Sequence, residues 1–271
     1  ASHFLAGSEI KQFTVFEDFE PVLNQNTALN FLLRGWLNFS EQTFFEGVKE
    51  LPAGHYLKYN LTDHRFQVTQ WYDLEKSSPI VYDDFKTAVK KVRTLFTEST
   101  RIRMRSDVRV GSCLSGGIDS SSIVTLIHSQ KLANDDFATI TSCYDEKRFD
   151  EQQFSDIVSE KTGFKSAKVY PDLDHLMDHG HLDKMLYHQD QPFGGASHYS
   201  EFKVFEKARE NKLIVMQDGQ GSDEYLCGYG EFYITRIREM LRTFRWRSAI
   251  DLMRKKSIHR GTRLIDEIKS F

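Results

Sequence analysis

The chain is poor in cysteine, nearly balanced in charge and without a long apolar run, and each shortage removes a class of protein. Three cysteines occur in 271 residues, Cys113, Cys143 and Cys227, far apart and with no Cys-x-x-Cys spacing. They read as reduced thiols, neither a disulfide framework nor a zinc site, and point to a reducing, cytoplasmic setting. The formal charge of −3 offers no electrostatic case for nucleic-acid or membrane binding. Basic residues do cluster between Arg236 and Arg247 and at Arg254-Lys255-Lys256, where they read as solvated helix faces. No stretch of about 18 apolar residues is present, no signal-peptide pattern opens the chain, and no internal repeat or low-complexity segment appears. The first residue is Ala1 rather than Met, which suggests a piece of a longer polypeptide.

What the sequence does hold is a glycine-rich turn between a strand and a helix. Val108, Val110, Ser112 and Leu114 share one side of an extended segment, while Ile123, Val124, Leu126 and Ile127 give the next segment a helical apolar face. Between them, Gly116 and Gly117 allow close backbone approach and positive φ, and the amides opening the helix point at whatever anion fills the turn. Ser115, Ser120 and Ser121 add hydroxyl donors. Asp119 would repel phosphate unless a cation lies between them, so the loop predicts a magnesium-bridged polyphosphate. The spacing is not that of the Walker loop. An ordinary tight turn whose serines cap a helix is the plainer alternative.

Before this turn, residues 1–82 read as short, β-like segments. Turn residues stand at Pro21, Asn24 to Asn26, Pro52 to Gly54 and Asn60 to Asp63, and Gly54 to Tyr59 with Phe66 to Trp71 form a candidate hairpin. His55 and His64 are lone histidines suited to surface hydrogen bonding. Phe85, Val89, Val92, Phe96 and Ile102 follow helical spacing and predict a long helix over 83–104 with a core-facing stripe. After the central turn, strands are expected at 137–144, 166–170 and 213–216. Helices are expected at 150–163, with Asp150 and Gln153 in capping-box spacing and Gly163 as its stop, and at 173–187 and 200–211. Strands separated by helices imply an α/β fold, a parallel sheet flanked by helices, with a helical C-terminal part beyond Tyr229.

The last of these strands leads into Asp218-Gly-Gln-Gly-Ser-Asp-Glu224. In an open α/β sheet, ligands sit beyond the carboxyl ends of the strands. Both glycine-rich turns therefore open onto one edge, and Asp119 and Asp223 together could hold a hard cation through oxygen ligands.

With both turns in view, the sequence resembles the glutamine-hydrolysing asparagine synthetase family, specifically its ATP-using synthetase half. Ala6-Gly-Ser-Glu-Ile-Lys11 looks like the segment closing that family's glutaminase domain, and Thr43 to Leu57 with Trp71-Tyr-Asp-Leu74 like the stretch leading into the synthetase domain. Leu114 to Ser121 matches the pyrophosphate loop, and Asp190-Gln-Pro-Phe193, Asp218 to Glu224 and Gly228-Tyr229 complete the ordered set.

The resemblance implies an adenine nucleotide alpha hydrolase-like fold of the PP-loop ATP pyrophosphatases, with ATP and magnesium as cofactors. It divides the chain into a glutaminase remnant at 1–15, a β-rich link at 16–82 and a synthetase domain at 83–271, incomplete at its C-terminus. It implies adenylation of a carboxylate with release of pyrophosphate, then attack by ammonia from a glutaminase domain in the same full-length chain; a homodimer stays open. By position, Leu114 and Ser142 would place backbone groups near adenosine. Ser115, Gly116, Gly117 and Ser120 would cradle pyrophosphate, Gly219 would lie against the nucleotide, and Asp119 with Asp223 would hold magnesium.

Three departures stand out. The fragment should not hydrolyse glutamine by itself, and it stops before the later segment that supplies further basic residues, so ATP binding without turnover is one expectation. Gln220 stands where asparagine synthetases proper carry Glu, and a neutral amide cannot take a proton as a general base. The acceptor carboxylate therefore need not be aspartate. A cyclase or ligase with another acceptor, and a non-catalytic nucleotide-binding module, are the alternatives.

Overall fold

A computed structural model describes residues 3–148, 150–177 and 180–260 of the chain. The described residues divide into two compact units. One takes in those within 1–102, 142–150 and 167–212, the other those within 103–141, 151–166 and 213–271.

In the first unit a 3-10 turn at Ile10–Val15 precedes helix α1 (Gln25–Arg34). This helix was not expected, because the asparagines around 24–26 read equally as a turn. Asn24 is instead its cap: the side chain accepts from the Thr27 amide, and Gly35, at φ +68, closes the far end. Strands β1 (His55–Tyr59) and β2 (Phe66–Gln70) form the expected antiparallel hairpin, with Leu57 opposite Val68. A short helix α2 (Leu74–Ser77) follows, and then α3 (Phe85–Arg103), close to the expected bounds. Its apolar stripe does not face a core: Phe85, Val89, Val92 and Ile102 are exposed. Helical spacing reports a shared face, and it cannot say what covers that face.

Strand β3 (Val110–Cys113) runs into α4 (Ile118–Ser129), followed by β4 (Ala138–Ser142), α5 (Gln152–Thr162) and β5 (Lys165–Val169). The α5 capping box does not form. Glu151 holds the N-cap position without a side-chain bond, and Asp150 instead accepts the Tyr144 amide at 3.2 Å. Gly163 does stop α5, at φ +71.

The segment expected to be one helix over 173–187 is two, α6 (Leu173–Met177) and α7 (His181–Gln189), with Gly180 at φ +73 capping the second. Helix α8 (Ala196–Glu210) starts four residues earlier than the hydrophobic spacing indicated. Strand β6 (Val215–Gln217), α9 (Ser222–Leu226), α10 (Gly230–Arg242) and α11 (Trp246–Arg260) complete the order.

The four strands from β3 onward form one sheet in the order β5-β4-β3-β6, and β3 pairs parallel to both neighbours. The first crossovers move the chain to one side of β3 and a later one brings β6 to the other, so the order reverses at β3. In open α/β sheets that reversal splays the two loops at the strand ends and leaves a crevice.

Packing fixes β3 in the centre. Val110, Ile127 and Phe137 are buried together, and Leu114, Val124 and Val158 form a second cluster between α4 and α5. Each such side chain contributes on the order of 1.5–3 kcal/mol from burial. A hydroxyl inside the sheet is also partnered: Ser112 Oγ donates to the Gln217 carbonyl at 3.0 Å, joining β3 to β6 at the ends that carry the two loops.

Helices α10 and α11 close on their own cluster of Ile237, Met240, Ala249 and Met253. No helix among the described residues is long and apolar enough to cross a membrane.

Candidate functional site

The turn after β3 is held in shape by its own serines. Leu114 donates its amide to Ile140 in β4 and accepts Thr141 Oγ1 on its carbonyl at 2.7 Å, which fixes the point where the chain leaves the sheet. Ser120 Oγ then lies 3.0 Å from Ser115 Oγ and accepts the Ser115 amide at 3.2 Å, while the Gly117 amide donates to Ser115 Oγ. The loop is thus drawn around the first turn of α4.

A helix start leaves its leading amides without intrahelical partners and carries partial positive charge, which suits an anion. Gly116 has φ +88, and a Cβ there would lie 2.7 Å from both the Ser155 nitrogen and the Phe154 Cβ at the start of α5. Only glycine fits a backbone at that φ pressed so closely against a neighbouring helix.

The second turn is seated on the first. A Cβ on Gly219 would lie 2.9 Å from the Ser120 nitrogen and 3.1 Å from the Asp119 Cβ, so the Gly219 backbone packs directly on the residues that open α4. Within this turn the Gln220 amide donates to Asp218 Oδ1 at 3.0 Å, and Ser222 Oγ donates to the Gly219 carbonyl at 2.7 Å. Gly221, at φ +87, caps α9, and Asp223 lies in its first turn as Asp119 does in α4.

The structure therefore brings Leu114, Ser115, Gly116, Gly117, Asp119, Ser120 and Gly219 together in the second unit, with Gln220 exposed on the second turn and Asp223 exposed in the first turn of α9. Ser142 closes β4; its Oγ is buried with no hydrogen-bond partner among the described residues.

Three features of the site were not read from the sequence. Phe154 and Ser155 form the wall behind Gly116, Thr141 holds the Leu114 carbonyl, and Gly228 lies against the Asp223 carboxylate. Only Gly228 carried a signal, as half of the Gly-Tyr pair. In the first unit, two other segments singled out in the sequence meet. Asp190, at φ +56, accepts the Ile10 amide at 2.8 Å and pairs with Lys11 at 3.1 Å. Burial acts against the Lys11 charge, but Glu9 and Asp190 outweigh it and hold the ammonium above its usual pKa.

Among the described residues no three or more His, Cys, Asp or Glu side chains gather as a metal cage. Asp119 and Asp223 each lie in the first turn of the helix that follows one of the two glycine-rich turns, and two carboxylates are a donor set that would fit magnesium, which binds through one or two carboxylates together with phosphate oxygens and water.

The sequence profile of the asparagine synthase family matches residues 91–270. Amidase chyE of Penicillium rubens is 27% identical over 250 residues, covering 87% of this chain and 36% of that protein. Asparagine synthetase (glutamine-hydrolyzing) 3 of Bacillus subtilis is 26% identical over 248 residues, covering 87% and 39%. The chain thus spans less than half the length of these relatives. A solved NH3-dependent NAD synthetase from Campylobacter jejuni is similar at 13% identity and a TM-score of 0.31, over 69% of this chain and 93% of its own. The profile takes in well over half of the residues and all of both glycine-rich loops, and on that match this chain belongs to the asparagine synthase family.

Proposed function

We propose that the chain is the ATP-using synthetase part of an amidotransferase, which activates a carboxylate as an acyl-adenylate and delivers the acyl group to ammonia. A carboxylate oxygen attacks the α-phosphorus and pyrophosphate leaves; the amine then attacks the acyl carbon and AMP leaves, giving an amide. Such chemistry asks for orientation and charge neutralisation around the phosphates more than for a covalent nucleophile. The carrying observation is the seating of Gly219 on Asp119 and Ser120, which joins the two loops where the strand order reverses.

In this reading Ser115, Gly116, Gly117 and Ser120 hold the departing pyrophosphate. Leu114 borders adenosine, where it offers the second lone pair of its carbonyl. Asp119 and Asp223 would hold magnesium, which when bound neutralises charge building on the phosphate oxygens.

Gln220 bears on the acceptor. As an exposed amide it can orient an acceptor or nucleophile by hydrogen bonds but cannot remove a proton. The relatives themselves are named for two activities, asparagine synthetase and amidase. Both observations favour an acceptor other than aspartate as the second reading, with the same adenylation step. The glutamine-hydrolysing relatives support ammonia from a glutaminase domain of the same full-length protein. The three cysteines are all thiols, in keeping with a reducing, cytoplasmic setting.

The test is pyrophosphate release by the full-length protein with ATP, magnesium and a panel of carboxylates, beside magnesium-ATP binding by Asp119→Asn. Release that depends on one carboxylate, with weakened binding and an intact fold in the variant, supports the reading. ATP binding with no pyrophosphate from any carboxylate would replace it with a nucleotide-binding module, and unchanged affinity in Asp119→Asn would remove that residue from the metal.

A further inference from the structure

The chain just after α9 folds back on the acid that opens it. Cys227 adopts a left-handed conformation, φ 59 and ψ 42, and the amides of Cys227 and Gly228 both donate to the Asp223 carbonyl, the latter at 3.0 Å. Tyr229 fastens the fold-back by donating its hydroxyl to Glu224 Oε1 at 3.2 Å. Gly228 is not among the glycines at positive φ, so its backbone is open to any L-residue and conformation does not explain it. Space does. A Cβ on Gly228 would lie 2.6 Å from the Asp223 Cγ and 3.0 Å from its Cβ, and it would overlap Oδ1.

We propose that Gly228 is a positioning residue: its missing side chain leaves the space in which the Asp223 carboxylate lies, and so sets the direction in which that carboxylate is presented. The proposal rests on the assignment of Asp223 to the magnesium-ATP site and explains why a glycine follows the acid by five residues. Asp223 is exposed, so a carboxylate displaced by a methyl group swings into solvent instead of into a packed core. Alanine at 228 therefore re-aims the acid while leaving the fold in place.

The experiment compares Gly228→Ala, Asp223→Ala and the double variant by titrating ATP at stepped magnesium concentrations, with thermal unfolding and a crystal structure of Gly228→Ala. Gly228→Ala is expected to raise the magnesium concentration for half-maximal ATP binding by about tenfold, matching Asp223→Ala, with a Tm within about 3 °C of the parent. The double variant should be no worse than either single one, since both act through one carboxylate.

An effect of Gly228→Ala that adds fully to Asp223→Ala overturns the proposal, as does an unchanged magnesium requirement in Gly228→Ala beside a raised one in Asp223→Ala. If Asp223→Ala itself binds magnesium-ATP normally, the metal assignment falls. The crystal structure then decides the positioning separately: a moved carboxylate upholds it, and an unmoved one ends it.

Discussion

Gly116→Ala should destabilise the unit that holds the two loops by about 2–6 kcal/mol, whereas Gly117→Ala, one residue on, should change it by less than about 1 kcal/mol. The two positions look interchangeable in sequence, and only the geometry separates them. At Gly116 an L-residue must hold φ +88, a cost on the order of 1–3 kcal/mol. Its Cβ also meets backbone and Cβ atoms at 2.7 Å, which α5 can relieve only by moving, a further cost of about 1–3 kcal/mol. Gly117 has φ −63 and ψ 164, ordinary extended backbone, and a Cβ there meets only Ser115 Oγ at 3.3 Å, a rotatable hydroxyl. What alanine loses there as a helix cap is offset by a less flexible unfolded chain. Urea denaturation followed by far-UV circular dichroism gives the stability difference, and hydrogen exchange of peptides spanning β3, α4 and α5 localises it. Equal losses for the two variants, or a harmless Gly116→Ala, would refute the reasoning, because either result means that α5 does not press on the loop as described.

Other expectations follow from the same geometry. Burial alone would raise the Glu206 carboxyl, but hydrogen bonds from Lys184, at 2.6 Å, and Lys203 outweigh it and hold it at about 2 instead of 4.5. A depressed carboxyl stabilises the fold above its unfolded pKa, and that contribution fades as pH falls from near 4.5 through about 2. The side chain is 28% exposed, so screening reduces the apparent gain to about 1 kcal/mol. Glu206→Gln should therefore lower the urea midpoint at pH 7 and converge on the parent near pH 2, and a gap that persists unchanged at low pH would mean another cause. Gln220→Glu should alter which nucleophile is used, with ATP affinity kept within about threefold, since its side chain is exposed and lies outside the serine-held turn after β3; a large loss of affinity alone, read by calorimetry, would contradict that placement.

How much of this could be read from residues alone follows from the range over which each signal acts. The β3-turn-α4 unit was legible because its determinants are local: alternation into Cys113, two glycines, then Val124 and Ile127 on one helical face, all within about twenty residues. The common edge of the two glycine-rich turns was legible too, because parallel strands point their ends the same way whatever fills the sheet. Signals that admit two local solutions failed. Asn24 can open a turn or cap a helix, and the Phe44 carbonyl twenty residues on, which receives the Asn24 amide, helps to fix its conformation. Asp150 had the spacing for a capping box but found the Tyr144 amide instead. The glycines show the same division most sharply. Gly116 announces itself by standing in a strand-to-helix turn, while Gly228 at an unremarkable φ is explained only by a carboxylate five residues earlier, on the preceding helix. Sequence marks where the backbone must bend; where a side chain must be absent so that another can point correctly depends on through-space contact, and that is the level at which the acid of the second loop is controlled.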